Sequence, residues 1–240
     1  MTDTLHVNAN AEESAEACAA WVVETLSGVL NTAPRATFAI SGGSTPKLLF
    51  SRLAKSSLDW SKIHVFWVDE RCVPPTDDQS NFKMADQALL SPARISKYNI
   101  HRVHGEMTPD EGAVRYIEEI RQFFGLAEHE LPVFDLIHRG IGPDAHTASL
   151  FPGQPLIANR TGIAAAVWVE KMHSHRVTLL PGVLLAGRHT VLQVAGPDKA
   201  EPMYNILKGP EDLFQFPGQL ATRGSDKAVW FLDKAAASRL

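Results

Sequence analysis

The 240-residue sequence predicts a single α/β domain, residues 1–240, built on a mostly parallel open sheet with helices on both faces. Three observations predict it. Short apolar runs alternate with stretches of helical period. Each polar motif follows the carboxyl end of an apolar run, the edge where open α/β sheets bind ligands. No internal repeat, low-complexity tract or linker divides the chain; the Gly- and Pro-rich connection 208–226 sits too near the end to separate domains.

Taken in order, residues 11–30 place Ala, Trp, Val and Leu at helical spacing, which predicts the first helix. Ala36-Thr-Phe-Ala-Ile40 is strand-like and ends in Ser-Gly-Gly-Ser-Thr-Pro. A helix follows from Pro46, suited to a first helical position, through Leu53. Ile63–Val68 is the next strand and ends in Asp69-Glu70-Arg71. Residues 81–90 and 109–124 read as helices, and Phe134–Ile137 as a third strand that leads into Gly140-Ile-Gly-Pro-Asp-Ala-His146. Gly162–Val169 is expected as a fourth strand and Val191–Ala195 as a fifth. Gly-Pro-Asp-Lys-Ala200 and a helix come next, and Ala228–Leu232 supplies the last strand.

Apolar residues make up 45% of the chain, enough for a sizeable core. A net charge of −4 with no long basic block argues against nucleic acid as a partner, while leaving room for a local basic pocket. Cys18 and Cys72 have neither disulfide-framework nor zinc spacing. The N-terminus lacks a basic region followed by an apolar core, and no apolar run reaches bilayer length. The expected setting is cytoplasmic, without membrane attachment.

Four segments carry candidate chemistry. In Ser41–Pro46, Gly42 and Gly43 let backbone N–H groups approach an anion, the following helix points its positive end there, and Ser44 and Thr45 add hydroxyls. The same segment reads equally as a glycine turn with a Ser/Thr cap; it is not a Walker motif. Arg71 could grip a phosphate by paired hydrogen bonds, although surface charges at strand ends are common. His146 could take a proton from water, and Asp144 could orient the imidazole, polarise a substrate or cap a following helix. A metal reading of Asp144-x-His146 needs a third ligand, for which His173 and His175 are candidates by residue type only. Arg176 and Lys199 also stand near strand termini, and three cations at one sheet edge of an acidic chain favour a dianionic ligand. Gly140–Ala145 further matches the Gly-x-Gly-x-x-Ala dinucleotide pattern, which leaves His146 without a role.

Together Ser41–Pro46, Asp69-Glu-Arg-Cys-Val-Pro74 with Ser80-Asn-Phe82, Gly140–Pro152, Arg176-Val-Thr178 and Gly196-Pro-Asp-Lys-Ala200 resemble the 6-phosphogluconolactonases in order and spacing, over about residues 36–200. The resemblance implies a Rossmann-like α/β domain related to glucosamine-6-phosphate deaminases and ribose-5-phosphate isomerases. It implies hydrolysis of 6-phosphoglucono-1,5-lactone in the pentose phosphate pathway, without metal or organic cofactor, by a monomer or small homo-oligomer. On matching positions His146 becomes the general base; Asp144 stays beside it as a second catalytic candidate whose three roles remain open. Arg71, Arg176, Lys199 and the Gly42–Thr45 loop become phosphate and substrate contacts, with Asn81 as a further pocket residue. The sequence departs from the family pattern at His138 and Arg139, where apolar residues are usual, at Ala145, where glycine is usual, and at Leu180, where threonine is usual. Ala148-Ser-Leu-Phe-Pro152 and Asp69-Glu-Arg71 favour the lactonase over the deaminase, which usually has Ala-Phe-Asn-Glu-Pro and Asp-Glu-Tyr there. A non-catalytic sugar-phosphate binder is the remaining alternative.

Overall fold

Two sheets of opposite character share the chain in the computed structural model, which describes residues 4–222 and 228–240. The strands are β1 (Thr4–Asn8), β2 (Ala36–Ile40), β3 (Ile63–Trp67), β4 (Asp69–Arg71), β5 (Ile100–His101), β6 (Leu136–Arg139), β7 (Ala164–Val169), β8 (Ser174–Leu179), β9 (His189–Val194) and β10 (Ala228–Asp233). The helices are α1 (Ala11–Leu30), α2 (Ser44–Leu53), α3 (Asn81–Ala85), α4 (Pro109–Phe124), α5 (Pro181–Ala186) and α6 (Ala200–Leu207). Seven strands form a parallel sheet in the order β1-β10-β9-β6-β2-β3-β5.

The strand order reverses at β2. The chain passes outward through β3 and β5, then returns to lay β6 on the other side of β2. A crevice therefore opens between the loops that leave β2 and β6, which is where such sheets take ligands. Thr37 and Asp135 bind this seam: Thr37 donates its N–H and hydroxyl to the Asp135 carboxylate at 2.9 and 2.8 Å. Apolar clusters cover both faces. The larger includes Val22, Leu49 and Phe66, and the second gathers Ile141, Leu192, Met203, Ile206 and Trp230 beneath α6.

The expected fourth strand exists as β7 but does not join the parallel sheet. It pairs antiparallel with β8, which pairs in turn with β4, as a separate three-stranded sheet. Burial differs accordingly: β2 is buried at every position, whereas most of β7 is only partly covered and Trp168 is exposed, because β7 takes the free edge of β8 and not one inside the parallel sheet. Near the junction, Trp67 donates its N–H to the Tyr116 hydroxyl of α4 at 2.8 Å, and that hydroxyl donates to the Trp67 carbonyl at 2.7 Å. The backbone polar groups at the end of β3 are thus satisfied as the chain turns toward β4.

Two other boundaries differ from expectation. Helix α2 begins at Ser44, before Pro46, and the expected 81–90 helix is a single α-turn followed by a π-turn at Asp86–Leu90. Strand β6 also continues past Ile137 through His138 and Arg139, which are fully buried with no hydrogen-bond partner on either side chain. Burial alone pushes the Arg139 guanidinium down to about 10 and the His138 imidazole down to about 3.

Candidate active site

At the carboxyl edge of the parallel sheet, the loops after β2, β6 and β9 face the small sheet across a cleft with two lobes. One lobe, of about 210 Å³, is lined by Gly42, Arg71, Asn81, His146, Arg176 and Lys199 among others. The adjoining lobe, of about 220 Å³, is lined by Gly43, Ser44, Thr45, Gln193 and Lys199. Gly42, Gly43, Gly140, Ile141 and Lys199 border both. Every residue singled out from the sequence as a substrate contact thus reaches one of two joined cavities.

The β6 loop does not lead into a helix. After His146 it makes a short bridge between Thr147 and Leu150. Without a following helix there is nothing for Asp144 to cap, and no helix N-terminus to hold the pyrophosphate of a dinucleotide. Instead the Asp144 Oδ1 lies 2.5 Å from the His146 Nδ1. Burial pushes the Asp144 carboxyl up, but His146 and the Lys171 ammonium outweigh it and hold the group well below the usual carboxylate range. Asp144 stands behind the imidazole rather than on the wall of the His146 lobe, so orientation is the role its geometry favours over polarising a substrate.

The imidazole is fixed by two further neighbours. Phe151 stacks on it, with ring centroids 4.1 Å apart and planes 26° apart. A Cβ at Gly142 would fall 1.9 Å from Nδ1, so only glycine leaves room for the ring. Ala145, between Asp144 and His146, has φ of +64°, in the left-handed region that favours glycine. Its N–H donates to the Gly142 carbonyl at 3.0 Å and its carbonyl accepts from the Gly218 N–H at 2.8 Å, which hold it there.

Opposite His146, the antiparallel register sets Arg71 directly across from Arg176. Like charges in this position repel and call for an anion between or beside them. Asp69 offsets part of that charge, with its Oδ2 4.0 Å from the Arg176 Nη1, and it also accepts from the Ser149 hydroxyl at 2.7 Å. Burial pulls Arg176 below its ordinary value, Asp69 opposes this, and Arg71 adds to it. The Nε of both arginines and the Oδ1 of Asn81 are buried without partners. Asn81 is held by its Nδ2, which donates to the Asp69 carbonyl at 2.9 Å, and the missing side chain of Gly42 makes room for it. Glu70 fixes the loop behind Asn81 by accepting from the backbone N–H groups of Arg71, Asn81 and Phe82 at 2.7–2.8 Å. Its burial nevertheless pushes the carboxyl up to about 7.

In the other lobe, α2 starts from Gly43 at φ of +115° with no side-chain cap, which decides against the capping role for Ser44 or Thr45. The first N–H groups of this helix remain available to an anion, and Lys199 borders the same lobe. The Gln193 amide, almost fully buried, has no partner for either of its polar atoms. Among the described residues no group of three or more His, Cys, Asp or Glu side chains gathers as a metal site. Sequence reasoning missed Gln193, Ser149 and Lys171, whose ammonium pairs with the Asp144 Oδ2. Only the buried-strand position of Gln193 offered a signal, as a polar residue inside an apolar run.

Comparison with known proteins gives a consistent result. Residues 9–230 match the family model described as glucosamine-6-phosphate isomerases/6-phosphogluconolactonase. A 6-phosphogluconolactonase of Treponema pallidum is 36% identical over 202 residues, covering 82% of this chain and 83% of that protein. The solved 6-phosphogluconolactonase of Trypanosoma cruzi superposes with a TM-score of 0.89 at 26% identity, covering 100% of this chain and 98% of the other. A monomeric glucosamine-6-phosphate deaminase superposes with a TM-score of 0.81 at 18% identity, covering 99% and 100%, and shares the fold.

Proposed function

The chain belongs to the glucosamine-6-phosphate isomerase/6-phosphogluconolactonase family, and we propose that it hydrolyses 6-phosphoglucono-1,5-lactone to 6-phosphogluconate, with His146 as general base. The observation that carries this reading is the Asp144–His146 pair facing Arg71 and Arg176 across a cleft whose second lobe holds Lys199 and the uncapped start of α2. A lactone phosphate needs both halves: a base for water at the carbonyl and a remote grip on a dianion.

The phosphate sits in the lobe of Gly43, Ser44, Thr45 and Lys199, and the lactone ring extends toward His146. Because the His146 Nδ1 is engaged by Asp144, Nε2 is left to take a proton from water as its oxygen bonds to C1. The carbonyl electron pair moves onto oxygen, and the developing charge is drawn to the arginine side of the cleft. Collapse of the tetrahedral intermediate breaks the bond from C1 to the ring oxygen, which takes the proton back from His146. Water is the only co-reactant, and the product is the open-chain acid. The phosphate contacts hold C1 in place throughout, so their binding energy serves positioning.

The test is a short-time assay on freshly generated 6-phosphogluconolactone, with the spontaneous rate subtracted and ammonia release from glucosamine 6-phosphate measured in parallel. His146→Ala is expected to lose roughly 10²–10⁴-fold in kcat, the usual contribution of a positioned base, with KM little changed. A wild-type rate equal to the spontaneous one would overturn the lactonase reading. Full turnover in His146→Ala would overturn the base assignment alone.

A further inference from the structure

We propose that Lys171 is a positioning residue for His146, acting through the second oxygen of Asp144. The inference rests on the lactonase reading and goes beyond it, because Lys171 lies outside the substrate cleft. It belongs to the turn Glu170–Met172 after β7, in the small sheet, whereas Asp144 and His146 belong to the loop after β6 in the large one. Asp144 is shared between them: Oδ1 meets the His146 Nδ1 at 2.5 Å, and Oδ2 accepts from the Lys171 ammonium.

A second contact runs through Phe151. The Lys171 Nζ lies 4.7 Å from the centroid of that ring, and the same ring stacks on His146. A cation over the aromatic face gains from the ring quadrupole, so two independent interactions hold the ammonium in place. Lys171 approaches from a separate cavity of about 630 Å³, whose walls also carry Glu170 and Glu201. It touches neither lobe of the substrate cleft.

The arrangement acts in two ways. A carboxylate with one oxygen engaged could still swing about its χ2 angle; engaging both fixes its plane and with it the imidazole. The ammonium also neutralises much of the Asp144 charge, which alone would favour the protonated ring and leave less of it free to accept a proton. The other charged groups at the His146 lobe are Asp69 and Arg71 from β4, Arg176 from β8, and Lys199 from the turn after β9. Those that face Lys171 besides Asp144 are Glu170 and Glu201. None of them occupies the second oxygen of Asp144, so none duplicates the role.

The experiment compares wild type, Lys171→Met, Lys171→Gln and Lys171→Arg by NMR titration of the His146 ring, assigned by its loss in His146→Gln. Both neutral variants are expected to move the titration curve to higher pH, with Lys171→Arg restoring it. In the lactonase assay they should lose roughly 5–20-fold in kcat at neutral pH with KM within about twofold, and their acid limb should move to higher pH. Since Lys171 is 43% exposed on its side chain, either neutral variant is expected to fold, and two of them guard against an individual failure. Coincident titration curves in wild type and the neutral variants would overturn the inference. If the wild type does not accelerate the lactone, the proposed reaction falls, and the titrations still decide the role of Lys171.

Discussion

Ala145 carries a conformational cost that its sequence neighbours do not. At φ of +64° a Cβ is unfavourable by roughly 1–2 kcal/mol, while burial of its methyl returns about 0.8 kcal/mol. The cost exceeds the return by up to about 1 kcal/mol. Ala145→Gly should therefore leave stability within about 1 kcal/mol of wild type and turnover unchanged, as read by urea unfolding and the lactonase assay. Ala145→Val, branched at Cβ, should cost roughly 2 kcal/mol or more and lower kcat by displacing His146. At this scale much of the site was legible. The residue types of His146, Arg71, Arg176 and Lys199 suit acid–base and anion chemistry, and the place of Arg71, His146 and Lys199 after apolar runs predicts that they converge; Arg176 instead lies within β8, across from Arg71. The role of Lys171 was not legible, because a lone lysine in a turn has no pattern, and its partner Asp144 lies 27 positions earlier.

Among the elements, β6 is the one whose sequence sits least comfortably in its place. Parallel strands at the centre of a sheet are ordinarily apolar throughout, yet this one ends in two buried, unpartnered polar side chains, His138 and Arg139. For His138 the consequence is a pH dependence of folding. Its ordinary value is 6.5 and burial lowers it to about 3, so between these values the unfolded chain binds a proton that the folded one refuses. Stability contributed by this position is therefore full above about pH 6.5 and falls as the pH drops toward 3. By that linkage His138→Leu should lose up to about 2–3 kcal/mol less than wild type between pH 7 and pH 4.5, measured by urea unfolding at both. Strand β7 shows where sequence reading stopped. Ala164–Val169 has the composition of a strand, but membership of one sheet or the other depends on which partner edge is free, a long-range fact. The capping role open to Asp144 fails for a related reason: Thr147 and Leu150 close a bridge where a helix would start, and Ala148 adopts φ of +53°.

The molecule as a whole concentrates positive charge where its total is negative. Against a net charge of −4, Arg71, Arg176 and Lys199 line one cleft. Attraction between this cleft and a phosphate dianion is screened over a Debye length of about 8–10 Å at ordinary ionic strength. Raising salt should accordingly increase KM while leaving kcat nearly constant. Arg71→Ala should raise KM about tenfold or more and lower kcat as well, because the same cation lines the lobe where the carbonyl charge develops, and it should weaken that salt dependence. An unchanged KM would remove Arg71 from the binding set. The overall alternation of strands and helices was readable from periodicity, because period follows from backbone geometry. The second sheet was not, since three short strands with mixed burial leave no distinct period.

The pairing of Arg71 with Arg176 across β4 and β8 has a consequence beyond catalysis. An empty cleft keeps the two guanidinium groups in opposition, and a bound phosphorylated lactone, with its carbonyl oxygen on their side, would ease it. Occupancy then adds to the unfolding free energy by mass action, about 2.7 kcal/mol when ligand stands at a hundred times its dissociation constant. Proteases act on opened chains, so resistance to cleavage is expected to follow occupancy of the cleft. Limited proteolysis should accordingly cut the empty protein faster than the same protein with 6-phosphogluconate bound.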